Sequence, residues 1–165
     1  MGRETIWDEC RYIKRGVPNE WGEPDKIDHD FLRTLDAWVQ HLYNSWGGAT
    51  VVIRYGTNGT HSPNSLHYLG QAADLVVQMP EGIGPTDIIL SVARFSFTGV
   101  GVYPHWNGNT PLGRIPNHLG LHLERDPNLS WRPRVPRLKS WMGIRDPEKG
   151  QAYIALSQAH LARYC

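Results

Sequence analysis

The sequence predicts an α+β fold, a small antiparallel sheet flanked by helices. Three observations carry this expectation. Apolar residues recur at three-and-four spacing from Phe31 to Trp46, as on one face of a helix. Short β-branched or alternating runs occur at 49–55, 72–77, 100–103 and 119–124. Helical segments do not alternate with every strand, which argues against a parallel doubly wound sheet.

The elements follow in chain order. Residues 1–27 carry Gly16, Pro18, Gly22 and Pro24 among aromatics, and read as an irregular segment packed by Trp7, Tyr12 and Trp21. Asp30 is placed to cap the helix that follows, and Gly47-Gly48 to end it. Ala49–Tyr55 predicts a strand, and the Gly-rich stretch from Gly56 to Ser65 a turn. A second strand is expected over Ala72–Val77, a helix over Pro85–Phe95, and a third strand over Val100–Tyr103. A Gly/Pro/Asn loop from Pro104 to Asn117, of a length often used for binding, leads into a fourth strand at Leu119–Glu124. The basic, Pro-interrupted run after Trp131 (Arg132, Arg134, Arg137, Lys139) reads as solvated surface, and Ala152–Tyr164 as a terminal helix.

Composition narrows the function. The 165 residues hold 17 Lys+Arg against 16 Asp+Glu, a formal charge of +1, so a strongly cationic nucleic-acid binder is excluded. No apolar run approaches the roughly 20 residues needed to span a bilayer, so no membrane insertion is expected. The start, MGRETIWDECRYIKRG, has no apolar stretch of the kind a secretory signal needs, and the expectation is a chain that is cytoplasmic as synthesised. No repeat or linker divides the sequence, which predicts one domain over 1–165. Cys10 and Cys165 stand far apart without metal-type pairing.

The chemistry lies in histidines and carboxylates. Ser65-Leu66-His67-Tyr68-Leu69-Gly70-Gln71-Ala72-Ala73-Asp74 sets an imidazole and a carboxylate seven residues apart, with small residues between them. A turn after His67 could fold closely onto the strand bearing Asp74, so both side chains could reach one ion. In Gly120-Leu121-His122-Leu123-Glu124, strand alternation puts His122 and Glu124 on one face. Two histidines and one carboxylate match the ligand count of a catalytic zinc site, whose fourth position stays open.

On these residues the sequence resembles the zinc D-alanyl-D-alanine carboxypeptidases and related peptidoglycan peptidases, whose metal-binding fold is shared with lysostaphin-type peptidases and the hedgehog signalling domain. The pattern S-x-H-x-x-G-x-A-x-D is met by Ser65, His67, Gly70, Ala72 and Asp74. A His-x-acid strand is met by His122 and Glu124, and Gly99–Pro104 precedes it as in relatives. The resemblance spans roughly residues 30 to 131.

The resemblance implies one Zn2+ per chain held by His67, Asp74 and His122, and a peptidoglycan or other D-amino-acid-containing peptide as substrate. Carboxypeptidase and endolysin-type endopeptidase action both remain open, and a phage-type enzyme released onto the cell wall is one setting. Arg54 is the implied anchor for a substrate carboxylate, and Ser65 a contact to the substrate peptide. Many relatives carry an acid three positions before the third ligand, where this chain has Leu119. His118 is therefore the first candidate for the general base, ahead of Glu124 and His105, with Glu124 the better placed to orient a ligand. His61 could approach the metal from the turn but reads more readily as a solvated turn residue, and Tyr103, Trp106 and Trp131 read as core or rim aromatics that could line a groove. A non-catalytic zinc-bearing interaction domain of the same fold is the alternative, favoured by Leu119; a cell-wall-binding module without metal is a third.

Overall fold

The computed structural model describes residues 5–130, 139–146, 148 and 150–165. Trp131, Arg132, Arg134 and Arg137 lie outside the described residues. The first helix, α1 (Ile6–Glu9), is a single turn, and the segment after it is irregular, as its glycines and prolines predict. Its anchor is Asp36, whose carboxylate accepts the backbone N–H groups of Arg11, Tyr12 and Ile13 at 3.1, 2.8 and 2.8 Å. Trp21 is buried against Trp7 and donates its indole N–H to Lys14 O.

Helix α2 (His29–Trp46) buries Phe31, Leu32, Leu35, Trp38, Val39 and Leu42 along one face, the stripe read from the sequence. Its cap is Asp28 rather than Asp30: Asp28 Oδ1 accepts the Phe31 N–H at 2.8 Å. Asp30 sits inside the first turn, where it pairs with Arg33 and Arg125. Gly47, at φ 54°, ends the helix.

The strands are β1 (Val51–Tyr55), β2 (Ala72–Gln78), β3 (Gly99–Tyr103), β4 (Asn109–Thr110), β5 (Gly113–Arg114), β6 (His118–Glu124), β7 (Lys139–Asp146) and β8 (Gly150–Ala155). Helix α3 (Pro85–Val92) lies between β2 and β3, α4 (Pro127–Ser130) follows β6, and α5 (Gln158–Tyr164) ends the chain. Six strands form one sheet in the order β1-β2-β6-β3-β7-β8, while β4 and β5 make a separate hairpin.

The fold is mixed α+β, with two corrections to the sequence reading. The sheet is not purely antiparallel, because β7 runs parallel to β3. The predicted terminal helix over Ala152–Tyr164 divides into strand β8 and the shorter α5. The alternating burial of β8, with Ala152 and Ile154 half-buried and Gln151, Tyr153 and Ala155 exposed, is a strand's period of two. Pairing with β7 decided the local conformation there.

One face of the sheet is apolar. Ile53, Leu75, Val77, Val100, Val102, Leu119, Leu121 and Met142 join the α2 stripe in the main core. A buried Trp38 Nε1–H···Oγ Ser91 bond of 2.8 Å ties α2 to α3. The opposite face carries Asp74, Val76, His122 and Glu124. It is partly covered by the 104–117 loop, whose Ile115 packs on Val52 and Val76. The edge of β1 is paired with the N-terminal segment through Glu20 N–H to Ile53 O and Ile53 N–H to Asn19 Oδ1, which blunts an otherwise open edge. No described helix is long and apolar enough to cross a membrane.

Candidate metal centre

The site is built where β2 and β6 meet. Their antiparallel register sets Asp74 directly opposite His122, so both side chains leave the same face at one level. On the other side of β6, Gly101 pairs with His122 and Gly99 with Glu124. A Cβ at Gly99 would meet the Glu124 carboxylate, and one at Gly101 would come within 2.6 Å of the Trp141 ring. The Gly-Val-Gly-Val-Tyr strand therefore leaves room for these side chains on its outer face, while its valines fill the core.

His67 arrives from a 3-10 turn, Leu66–Leu69, that Ser65 caps by accepting the His67 N–H on its hydroxyl at 3.3 Å. The turn ends at Gly70, at φ 68°, which a side chain could not replace: a Cβ there would collide with Lys26 O and Ile27 Cα. His67 is 1% exposed. Its Nδ1 lies 2.6 Å from Gly56 O. A carbonyl only accepts, so Nδ1 carries the proton and Nε2 turns its lone pair inward.

Three donor atoms then converge. His67 Nε2 is 3.1 Å from His122 Nδ1, His122 Nδ1 is 2.9 Å from Asp74 Oδ1, and His67 Nε2 is 3.4 Å from Asp74 Oδ1. Behind them, His122 Nε2 lies 3.1 Å from Glu124 Oε2. His61 stacks on His67 with ring centroids 3.7 Å apart and planes 4° from parallel, and its Nε2 meets Asn58 O at 2.7 Å. The Tyr68 hydroxyl clamps the His61 backbone, accepting its N–H and donating to its C=O. His61, His67 and Asp74 each offer a ligand atom within 4.8 Å of the others, a group that could hold a metal ion.

The electrostatics follow from burial and pairing. Burial alone would raise the Asp74 pKa, but the hydrogen bond from His122 and the pull of the neighbouring imidazoles outweigh it and hold the carboxyl at about 2. Burial would lower His122; its bonds to Asp74 and Glu124, and their charges, instead raise it to about 9. Glu124 is likewise drawn down against its burial by His122 and by the Lys139 charge. Burial lowers His61, which favours the neutral, ligating form of the imidazole.

An open cavity of about 750 Å³ lies over this cluster. Thr60, His61, Ser62, Asn64 and Ser65 line it on the side of the turn, and Tyr103, Trp141 and Tyr153 form an aromatic side, with Lys139 also lining it. Trp141 donates its indole N–H to the Tyr103 hydroxyl at 3.4 Å, and the Lys139 ammonium lies 5.2 Å from the Trp141 ring centroid.

The structure brings together His67, Asp74, His122, Glu124 and Ser65 of the residues singled out from the sequence. It does not bring His118, Arg54 or His105 to them. His118 is on the same face of β6 as His122 but four residues away, about 13 Å along the strand. Its Nδ1 and Nε2 lie 3.1 and 2.8 Å from Ile115 O and Trp106 O, so both ring nitrogens face loop carbonyls. Arg54 pairs with Glu20 at 3.2 Å and lines, with His105, a second cavity. Trp106 stacks on Tyr103 and lines that second cavity as well.

His61 is the residue the sequence reading underweighted: in a Gly-rich turn it carries no periodic signal, and only the close return of that turn onto His67 brings it in. Comparison of the chain with family models, with curated proteins and with solved structures finds no match.

Proposed function

We propose that the chain is a zinc-dependent hydrolase of peptidoglycan stem peptides, with the fold of the zinc D-alanyl-D-alanine carboxypeptidases, cutting a peptide bond that involves a D-amino acid. The carrying observation is the approach of His67 Nε2, Asp74 Oδ1 and His122 Nδ1 to within 3.4 Å of one another from three separate stretches of chain. Donors on a tetrahedral zinc with bonds of about 2.0–2.1 Å stand roughly 3.3–3.4 Å apart, so these atoms need to move little to share an ion. Two imidazoles and a carboxylate are also a donor set that suits zinc.

In this reading His67, Asp74 and His122 would hold one Zn2+, which would supply Lewis acidity toward the scissile carbonyl and toward water. The chain supplies the rest. Gly56 O fixes the His67 tautomer, and Glu124 holds the Nε2–H of His122 so that Nδ1 faces the ion. The aromatic wall of Tyr103, Trp141 and Tyr153 and the polar wall that includes Ser65 flank an extended peptide. Lys139, which lines the same cavity, takes over the carboxylate-anchoring role expected of Arg54. Glu124 has the orienting role; His118 is too far along β6 to act on the same substrate atom.

A second reading, a non-catalytic zinc-bearing interaction domain, is favoured by His61, which offers a ligand atom beside those of His67 and Asp74 and so a further protein donor in place of the open position a catalytic site keeps, and by Leu119. Leu119, where many members of the family it resembles carry an acid, is buried in the core at 2% exposure.

The experiment is metal analysis of the purified chain followed by digestion of intact peptidoglycan with mass analysis of the products. About one zinc per chain and release of a single amino acid support carboxypeptidase action; release of larger fragments supports endopeptidase action. Zinc without any cleavage moves the chain to the second reading, and absence of metal binding rejects both.

A further inference from the structure

The second cavity, about 310 Å³, opens on the same sheet face one pleat repeat from the metal cluster: Val76 lines it, and Asp74, two residues back on β2, lines the other. That spacing is about 7 Å. Its chemistry differs from its neighbour's. Arg54 from β1 and Arg145 from β7 line it, together with His105 and Asn107 from the loop after β3 and Asn109 from β4, and among the described residues no carboxylate lines it.

Arg54 donates Nη1–H to Asn109 O at 2.6 Å, and its Nε lies 3.2 Å from Glu20 Oε2 in an ion pair, so the guanidinium is held from two sides. Asn107 Oδ1 accepts the Asn109 N–H at 3.1 Å, which leaves the Asn107 amide nitrogen as a further donor. His105 Nδ1 is buried and has no hydrogen-bond partner among the described residues. Two guanidiniums that converge on one cavity repel each other, and a buried polar atom without a partner costs free energy. A bound oxyanion would offset the first of these.

We infer that this cavity is an oxyanion-binding site, separate from the metal centre, which takes a phosphate or carboxylate group. Fork-shaped guanidinium donors and carboxamide N–H groups match oxygen atoms arranged about one centre. The cavity is larger than a phosphate ion, so the group would be carried on a larger molecule. A ligand extended across the face could occupy both cavities.

The test is a titration of the full-length chain with inorganic phosphate and, separately, with acetate, at ionic strength held constant with chloride, read from the side-chain N–H signals of Trp106 and Arg145 by NMR. The same titrations are made on Arg145→Met and Arg54→Met. Saturable shifts that weaken about tenfold or more in Arg145→Met establish the site. Tighter phosphate assigns it to phosphate esters, and tighter acetate to carboxylate ends. Arg54→Met also loses the contact to Glu20, so Arg145→Met is the deciding variant. Absence of saturation, or saturation unchanged in Arg145→Met, overturns the inference. Zinc content is measured alongside, so loss of the metal centre is seen independently of the anion site.

Discussion

Asp74 Oδ1 and His122 Nδ1 stand 2.9 Å apart across the β2–β6 pairing, and His67 Nε2 crowds the same nitrogen from 3.1 Å. The Gly56 carbonyl already fixes the proton of His67 on Nδ1. One proton on His122 Nδ1 is therefore shared between two acceptors, in the place a divalent cation would take. A buried arrangement with two acceptors and one proton is better satisfied by an ion that accepts electron pairs from all three atoms.

The first prediction concerns that proton. With His122 raised to about 9 by its two carboxylates, the metal-free protein holds it protonated at neutral pH. A metal must displace this proton, so apparent zinc affinity rises with pH, about tenfold per unit between pH 7 and 9, and flattens above 9. Calorimetry in buffers of different ionisation enthalpy should find about one proton released per ion at pH 7.5. The stability linkage has the opposite direction. A raised folded pKa contributes stability that is complete below the unfolded value near 6.5 and lost as pH climbs through about 9. Denaturant midpoints of the metal-free chain should thus fall from pH 6.5 to 9, and those of the zinc-loaded chain should not.

A second prediction separates Glu124 from the ion-facing atoms. Its Oε2 accepts from His122 Nε2 and is one atom layer removed from the converging donors. Glu124→Gln keeps an acceptor but loses the charge, so zinc should still bind at one per chain with affinity lowered about 10–100-fold. Chelator competition measures this. His122→Ala or Asp74→Ala should instead remove stoichiometric binding. Equal loss in all three variants would mean that Glu124 holds the ion itself.

Much of this centre was legible because its residues sit on periodic elements. Alternation in β6 put His122 and Glu124 on one face, and the small residues after His67 signalled a tight return toward Asp74. What stayed hidden depends on contacts distant in sequence. The register that sets Asp74 against His122 is fixed by β2–β6 pairing, not by either strand alone. The approach of His61 depends on where a Gly-rich turn closes, whereas the remoteness of His118 follows from its four-residue spacing from His122 along β6. Strand β8 looked helical because Ala, Ile and Leu in that stretch suit a helix as well as a half-buried strand, and only its partner β7 decides between them.

A third prediction tests why the motif needs its glycine. Gly70 combines a left-handed backbone with contact to the Lys26–Ile27 backbone, and its carbonyl accepts the N–H of the helix cap Asp28 at 2.9 Å. Gly70→Ala adds left-handed strain of roughly 1–2 kcal/mol and a collision that the backbone must yield to, so a loss of about 2 kcal/mol or more is expected in urea unfolding. Because the displaced turn carries His67, zinc affinity should fall as well. Ala substitution at Gly82, also at positive φ but with no heavy atom near its added Cβ, should cost less and leave zinc affinity unchanged.

The last prediction addresses stability without the site. Asp36, on α2, collects three successive backbone N–H groups of the N-terminal segment, two of the bonds partly buried. This carboxylate holds the segment that places Trp21 in the core and blunts the edge of β1. Asp36→Ala leaves those donors without their acceptor, a cost of roughly 1–3 kcal/mol for a buried donor, offset where water can reach the exposed Arg11 N–H. A net loss of about 2–3 kcal/mol is expected, with zinc stoichiometry unchanged, since none of the converging donors touches this carboxylate. Asp36→Asn, which keeps one oxygen to accept, should recover part of the loss. Hydrogen exchange at Tyr12 and Ile13 offers a local readout: protection there should collapse in Asp36→Ala while the amides of β2 and β6 stay slow. Loss of zinc in Asp36→Ala at temperatures where the chain remains folded would mean that the N-terminal segment supports the metal cluster as well as the core.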